Sequence, residues 1–230
     1  MFPYPPVRVW VLLCLMIVGA TANLLAIDRL FPQEYATIQE GIHAAHTGDI
    51  VLVSPGTYSE LIDFLGKTIT VRSTDGPAVT IIDGGGSGPI VTFQNLEGPG
   101  SVLEGFTITN GVAAEGAGIT ILDAYPTILN NTISGNTATT GPGGGIMMRN
   151  YTPNIDASLI PRIAGNIIRQ NLSANSEGGG VYAYSNYDFP EFFGNQWEEN
   201  QAAAMGTTLL VRNNSGKSGV LRLEDEVVKG

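Results

Sequence analysis

The sequence predicts an all-β protein built as a solenoid of about six stacked coils, with a short helix over the first coil. Three observations lead there: the composition, an internal repeat and an upstream helix signal. Of the 230 residues, 30 are Gly and 13 are Pro, and 43% are hydrophobic while only 14% are charged. This much glycine destabilises helix interiors, and this much apolar content is unlike a disordered chain. A turn-rich β fold remains.

The internal repeat is the strongest of these signals. Residues 125–136, 160–171 and 189–200 align without gaps, and each has a Pro near its start and two Asn residues five apart. Glycine-led strand segments separate the copies, at residues 116–121, 143–148 and 178–183. Short alternating runs point side chains in and out with a period of two, while Gly and Asn suit the turns. One unit is too small to be stable alone, so successive units are expected to stack.

Upstream of the repeats, the sequence predicts a helix and five strands. Thr37 and Glu40 form a capping box, and Ile38, Ile42 and Ala45 lie on one face of the helix that it opens. We expect this helix to cover the open end of the first coil. The strands, each bounded by Gly, Pro, Asp or Ser, are predicted at residues 50–53, 61–64, 68–71, 79–82 and 90–93.

Asparagine recurs at equivalent corners of the repeat, at Asn131, Asn166 and Asn195. Stacked coils would place these side chains above one another, so we expect a hydrogen-bonded structural ladder.

The amino-terminal segment suggests the compartment of the protein. Arg8, the apolar run 9–20 and the small residues Ala20 and Ala22 are typical of a secretory signal peptide. The run is shorter than the roughly 20 residues of a membrane span, so a cleaved signal is favoured over the alternative of an uncleaved anchor. Cleavage would remove Cys14, the only cysteine. We therefore expect a secreted or cell-surface protein without disulfides.

The expected boundaries are a signal peptide at 1–22, a lead-in at 23–34, the solenoid at 35–223 and an acidic tail at 224–230, with the chain either complete or a fragment.

Residues 35–45, 48–60 and 81–84 resemble the opening of the right-handed parallel β-helix proteins of the pectin lyase-like superfamily. The later glycine-led strands and Asn units are similar to repeats of secreted bacterial β-helix surface proteins and of polymorphic outer-membrane proteins. The resemblance covers roughly residues 35–212 and implies a single right-handed parallel β-helix. It implies little about activity, because this superfamily includes several enzyme classes and non-enzymatic adhesins.

Two enzyme classes of that superfamily lack their motifs here. Pectin methylesterases share the Gly-Thr-Tyr-x-Glu opening at residues 56–60, but their paired aspartates and arginine have no counterpart. The polygalacturonase motifs are also missing, and no histidine follows His46. A polysaccharide lyase asks for less: a cation or arginine that neutralises the uronate carboxylate, and a Lys, Arg or Tyr base.

The candidate site residues lie in the loops around the repeat prolines. Arg149 is the candidate catalytic residue of a lyase. Carboxylates at one edge of the stack would suit Ca²⁺, although aspartate is also common in turns and tyrosine packs along solenoid faces. The candidate metal ligands are Asp123, Asp156 and Asp188, and these together with Arg149, Tyr151, Tyr184 and Tyr187 are the candidate substrate-binding residues.

These observations favour a carbohydrate-binding or adhesion module whose partner is a polysaccharide or cell-surface glycan. The alternative is a polysaccharide lyase or related carbohydrate-active enzyme acting on acidic polysaccharide. A net charge of −10 argues against nucleic-acid binding, and no stable membrane span is expected after cleavage of the signal. An enzyme requires Asp123, Arg149, Asp156 and Asp188 to converge, whereas a module does not.

Overall fold

The computed structural model describes residues 28–31, 34–151, 159–186, 189–213, 222–224 and 226–229. These residues form a parallel β-solenoid with one short helix near its amino-terminal end. In each sheet, a strand pairs in parallel with the equivalent strand of the next coil. The fold predicted from the repeats is therefore confirmed.

The elements follow one another coil by coil. The chain begins with β1 (Asp28–Phe31), α1 (Ile38–Ala44) and the first coil, β2 (Ile50–Val53), β3 (Gly56–Tyr58) and β4 (Ile62–Asp63). The second coil is β5 (Thr70–Ser73), β6 (Thr80–Asp83) and β7 (Val91–Phe93), and the third is β8 (Val102–Glu104), β9 (Thr107–Thr109), β10 (Val112–Ala113) and β11 (Ile119–Leu122). The fourth is β12 (Thr127–Leu129), β13 (Thr132–Ser134), β14 (Thr137–Ala138) and β15 (Ile146–Asn150). The fifth is β16 (Arg162–Ala164), β17 (Ile167–Arg169), β18 (Leu172–Ser173) and β19 (Val181–Ser185). The sixth is β20 (Glu191–Phe193), β21 (Gln196–Glu198), β22 (Gln201–Ala202) and β23 (Leu209–Asn213), followed by β24 (Arg222–Glu224) and β25 (Val227–Lys229).

Four parallel sheets run along the solenoid. Sheet I contains β1, β2, β5, β8, β12, β16, β20 and β24, and sheet II contains β3, β6, β9, β13, β17, β21 and β25. Sheet III contains β10, β14, β18 and β22, and sheet IV contains β4, β7, β11, β15, β19 and β23. Sheet IV has six stacked strands, so the chain makes about five turns between the first and the last of them.

The core lies inside the coils because alternate side chains of each strand point inward. On sheet II, the inward residues Ile108, Ile133, Ile168 and Trp197 stack in register and are at most 2% exposed. Their neighbours along each strand point outward and are partly or fully exposed. Each coil thus contributes a layer of apolar side chains that packs against the layers of the neighbouring coils.

Asn131, Asn166 and Asn195 stack at one corner of this core. The Asn131 Nδ2 donates to Asn166 Oδ1 at 3.2 Å, and the Asn166 Nδ2 donates to Asn195 Oδ1 at 3.1 Å. Glu226 Oε1 accepts from the Asn195 Nδ2 at 3.0 Å at the end of the stack. These amides also bond backbone groups of neighbouring turns, so they satisfy buried polar atoms that the sheets leave unpaired.

A second ladder runs through the other asparagine of each repeat. The Asn136 Nδ2 donates to Asn171 Oδ1, and the Asn171 Nδ2 donates to Asn200 Oδ1, both at 3.0 Å. The sequence contains these residues at the last position of each repeat copy, but the ladder prediction did not include them.

The helix α1 closes the first coil and is held at both ends. Thr37 is its N-cap, and the Glu60 carboxylate accepts from the backbone N–H groups of Ile38 and Gln39. At the other end, Lys67 Nζ donates to three backbone carbonyls at 2.7 to 2.8 Å. Ile38 is fully buried against the core. The predicted cap helix is present, and no helix within the described ranges is long and apolar enough to cross a membrane.

Several predicted strand boundaries differ from the structure by one or two residues. The strand predicted at 68–71 runs instead from Thr70 to Ser73, because these four residues pair in register with β2. The strands predicted at 61–64, 79–82 and 90–93 run over Ile62–Asp63, Thr80–Asp83 and Val91–Phe93. Within the predicted acidic tail, 224–230, the residues of β25 pair in parallel with β21.

Candidate functional site

The predicted site residues that the structure describes lie on or beside the outer face of sheet IV. In β15, Ile146, Met148 and Asn150 point into the core, so Met147 and Arg149 point outward. The register then places Tyr184 of β19 beside Arg149, and Arg212 of β23 beside Tyr184. This outer face is therefore a continuous surface shared by successive coils.

Arg149 is engaged rather than isolated. Its Nη1 donates to Glu115 Oε1 at 2.7 Å, and its guanidinium lies 5.8 Å from the centre of the Tyr182 ring. Its side chain is 22% exposed. Glu115 comes from the loop of the preceding coil, so this ion pair joins two coils and fixes the direction of the arginine.

A second ion pair repeats this arrangement. Arg212 Nη2 donates to Glu177 Oε1, again from the loop of the preceding coil. The sequence prediction missed both glutamates. A signal for them exists: Glu115 and Glu177 each directly precede a glycine with positive φ that leads into a strand of sheet IV. The two pairs make the face a series of matched charges.

Tyr151 and Tyr184 form an aromatic platform beside Arg149. Their ring centroids are 5.6 Å apart at an angle of 50°, and Tyr151 is 51% exposed. Asp123 supports this platform, since its Oδ1 accepts from the backbone N–H of Tyr151 at 2.7 Å. Asp123 has a φ of 46° and its backbone N–H donates to the Arg149 carbonyl, so it shapes the turn beneath the tyrosines.

Tyr182 lies under the arginines and is only 8% exposed. Burial raises the pKa of its hydroxyl above the ordinary value, while the positive charges of Arg149 and Arg212 act in the opposite direction. A tyrosine that serves as a general base at neutral pH needs a lowered pKa. Tyr182 therefore suits packing and hydrogen bonding better than proton abstraction.

A groove adjoins the Glu115–Arg149 pair on the same face. It encloses a volume of about 370 Å³ and is lined mainly by small and apolar residues, with polar atoms from Thr92, Gln94, Thr120 and Glu115. A groove of this kind accepts the apolar face of a ligand while its polar rim bonds the edges. A second, more polar cavity of about 380 Å³ lies away from this face, beside Gln170 and Glu199.

The predicted metal cluster cannot be assembled from the described side chains. Asp156, Tyr187 and Asp188 lie outside the described residues, so their convergence with Asp123 and Arg149 stays a prediction. Among the residues that the structure does describe, no group of three or more His, Cys, Asp or Glu side chains is close enough to hold a metal ion.

The fold and this surface define the chain as a parallel β-solenoid protein with an outward face of tyrosines and arginine–glutamate pairs. A scan against protein-family models, a search of curated proteins and a search of solved structures each found no match for the chain.

Proposed function

We propose that the protein is a carbohydrate-binding module of the pectin lyase-like type, secreted or displayed at a cell surface, and that the outer face of sheet IV holds the glycan. The observation that carries this proposal is the Tyr151–Tyr184 platform flanked by the Arg149–Glu115 and Arg212–Glu177 pairs. Aromatic rings stack on the apolar faces of sugar rings, and charged side chains bond sugar hydroxyls. Tyr184 on the sheet and Tyr151 at the end of β15 offer both at little entropic cost, because a tyrosine side chain has few rotatable bonds.

Binding is favoured over lyase chemistry by the state of the two groups that a lyase would use. Arg149 is the candidate for neutralising a uronate carboxylate, but its charge is offset by Glu115 at 2.7 Å. The nearby Tyr182 has a raised pKa, which makes it a weak base at neutral pH. Both groups instead suit a surface that recognises hydroxyls.

The location of the protein is proposed from its first 22 residues. The positive charge at Arg8 and the apolar run that follows resemble an export signal. An exported chain cleaved after Ala22 would hold no disulfide, because no cysteine follows Cys14, and its stability would rest on the core and the asparagine ladders.

A polysaccharide panel tests this proposal. The purified chain is mixed with insoluble or gel-embedded polysaccharides, with and without Ca²⁺, while retention and the ultraviolet absorbance of unsaturated sugar ends are followed together. The expected result is retention on at least one polymer without new unsaturated ends. Unsaturated ends that disappear with chelator and with Arg149→Ala identify a lyase and overturn the proposal. Absence of both signals on every polymer overturns glycan recognition itself.

A further inference from the structure

The outer face of sheet IV repeats every two coils. At equivalent positions, five successive coils present Gln94, Leu122, Arg149, Tyr184 and Arg212. Strand register pairs Leu122 with Arg149, Arg149 with Tyr184 and Tyr184 with Arg212, and Gln94 directly follows the partner of Ile121. Hydrogen-bonding side chains therefore alternate with an aliphatic or an aromatic one along the solenoid.

Each hydrogen-bonding member is anchored by a carboxylate from the preceding coil. Gln94 Nε2 donates to Asp63 Oδ2 at 2.9 Å. Arg149 and Arg212 are anchored in the same way by the loop glutamates described above. Asp63 lies within β4, whereas Glu115 and Glu177 lie in loops, so the three carboxylates come from different kinds of element. The three anchored side chains nevertheless recur at the same interval of two coils.

We propose that this face binds a neutral, extended, β-1,4-linked hexopyranose chain that lies parallel to the solenoid axis with one sugar residue over each coil. The inference rests on the proposed glycan binding and adds the linkage and the charge of the ligand. Stacked strands are spaced by about 4.8 Å, and a sugar residue in a fully extended β-1,4-linked chain advances by a similar length. Successive residues of such a chain are rotated by half a turn, so its edges and faces also repeat every two residues.

The charges of the face select a neutral ligand. Each arginine is offset by its own glutamate, and the chain has a net charge of −10. The net negative charge of the chain therefore disfavours the approach of a polyuronate, and the paired arginines do not offset it. A guanidinium has five N–H donors, so after bonding its glutamate each arginine retains donors for sugar hydroxyls, and the glutamate oxygens accept from them.

The apolar members of the series complete the match. Leu122 and Tyr184 occupy the coils between the polar pairs, and both are partly exposed. They offer surfaces for the C–H faces of every second sugar residue. The groove beside Glu115 extends the contact area at Leu122, which is one of its lining residues.

Titration calorimetry with cello-oligosaccharides, from the disaccharide to the hexasaccharide, tests the inference. Affinity is expected to rise with length up to the pentasaccharide, which spans the five coils from Gln94 to Arg212. The hexasaccharide gains little more. Pentasaccharides with α-1,4 or β-1,3 linkages, and oligogalacturonates, are expected to bind about tenfold more weakly or less.

Two variants sharpen the test. Arg212→Ala removes the last hydrogen-bonding side chain of the series, so the length at which affinity stops rising should shorten from five residues. Arg169→Ala, which alters an exposed arginine on the outer face of sheet II, should leave the length dependence unchanged. Thermal unfolding of both variants is measured alongside, to establish that each is folded.

The outcomes separate this inference from the proposed function. Equal or tighter binding of an α-linked, β-1,3-linked or charged oligosaccharide, or affinity that is independent of length, overturns the inference and leaves glycan recognition standing. Failure of every oligosaccharide and polysaccharide to bind overturns both.

Discussion

Replacing Asn166 with alanine is expected to lower the free energy of unfolding by about 3 kcal/mol, because this fully buried amide joins three coils. Its Oδ1 accepts from both the backbone N–H and the Nδ2 of Asn131, at 2.9 and 3.2 Å. Its Nδ2 donates to the carbonyl of Ile128 at 2.9 Å and to Asn195 Oδ1 at 3.1 Å.

The magnitude follows from the groups that the substitution leaves without a partner. Alanine removes the acceptor of two N–H donors of Asn131 and a donor to the Ile128 carbonyl and Asn195 Oδ1. A buried polar group left unpaired destabilises a protein by roughly 1–3 kcal/mol. The expected total is well below four times that figure, because the Asn131 Nδ2 and Asn195 Oδ1 each keep a second partner and because water entering the vacated space recovers part of the loss.

Urea unfolding followed by circular dichroism measures the effect as a lower transition midpoint at an unchanged slope. Asn175→Ala is the matched control, because that asparagine is exposed and its Nδ2 makes one bond, to the Thr139 carbonyl. The control should change stability by about 0.5 kcal/mol or less. If Asn166→Ala and Asn175→Ala unfold at the same urea concentration, the ladder does not stabilise the solenoid and the reasoning is wrong.

Further substitutions test the cap, the turns and the outer face. Lys67→Met removes three hydrogen bonds to the carboxyl-terminal end of α1 and should lower the free energy of unfolding by about 2 kcal/mol, measured by urea unfolding. An unchanged midpoint would show that Lys67 does not hold this end of the helix. Gly178→Ala should destabilise it by at least about 1 kcal/mol, because φ is 62° and a Cβ would meet the backbone of the next strand at 2.7 Å; equal thermal stability would argue against this turn. Arg149→Ala should change stability by less than about 1 kcal/mol, because the ion pair with Glu115 is partly exposed. It should nevertheless weaken glycan retention, and loss of folding would refute a surface role. Because the pKa of Tyr182 is raised in the folded state, its neutral hydroxyl contributes to the free energy of unfolding at pH values below the ordinary tyrosine pKa of about 10. This contribution is lost as the pH rises through the higher pKa of the folded state. Tyr182→Phe should therefore lessen the alkaline loss of stability, and an identical stability profile between pH 8 and 12 would contradict it.

The sequence was sufficient for the fold because every coil repeats the same local pattern. Apolar alternation, turn glycines and paired asparagines each pointed to one stacked architecture, and the capping box at Thr37 located the helix. The strand boundary at Ser73 was less predictable. A buried serine resembles a turn residue until its partner, Thr80, is known.

The candidate site was only partly predictable, because its contacts join different coils. Arg149 and Tyr184 were expected in loops, but they lie within β15 and β19, where the strand register places them side by side. The pairing of Arg149 with Glu115 required the register between a strand and the loop of the coil before it. Asp123, predicted as a metal or substrate ligand, bonds the backbone of Tyr151, which a local reading of a turn aspartate could not reveal.

The central claim is that the outer face of sheet IV binds carbohydrate, and the most direct test compares two aromatic variants on whichever polysaccharide retains the wild-type chain. Tyr184→Ala removes half of the tyrosine platform, whereas Phe193→Ala removes an outward aromatic ring on sheet I that packs against Arg162. Affinity electrophoresis should show retention falling about tenfold for Tyr184→Ala and unchanged for Phe193→Ala. Equal retention of both variants, with both folded, would place the glycan elsewhere and contradict the account.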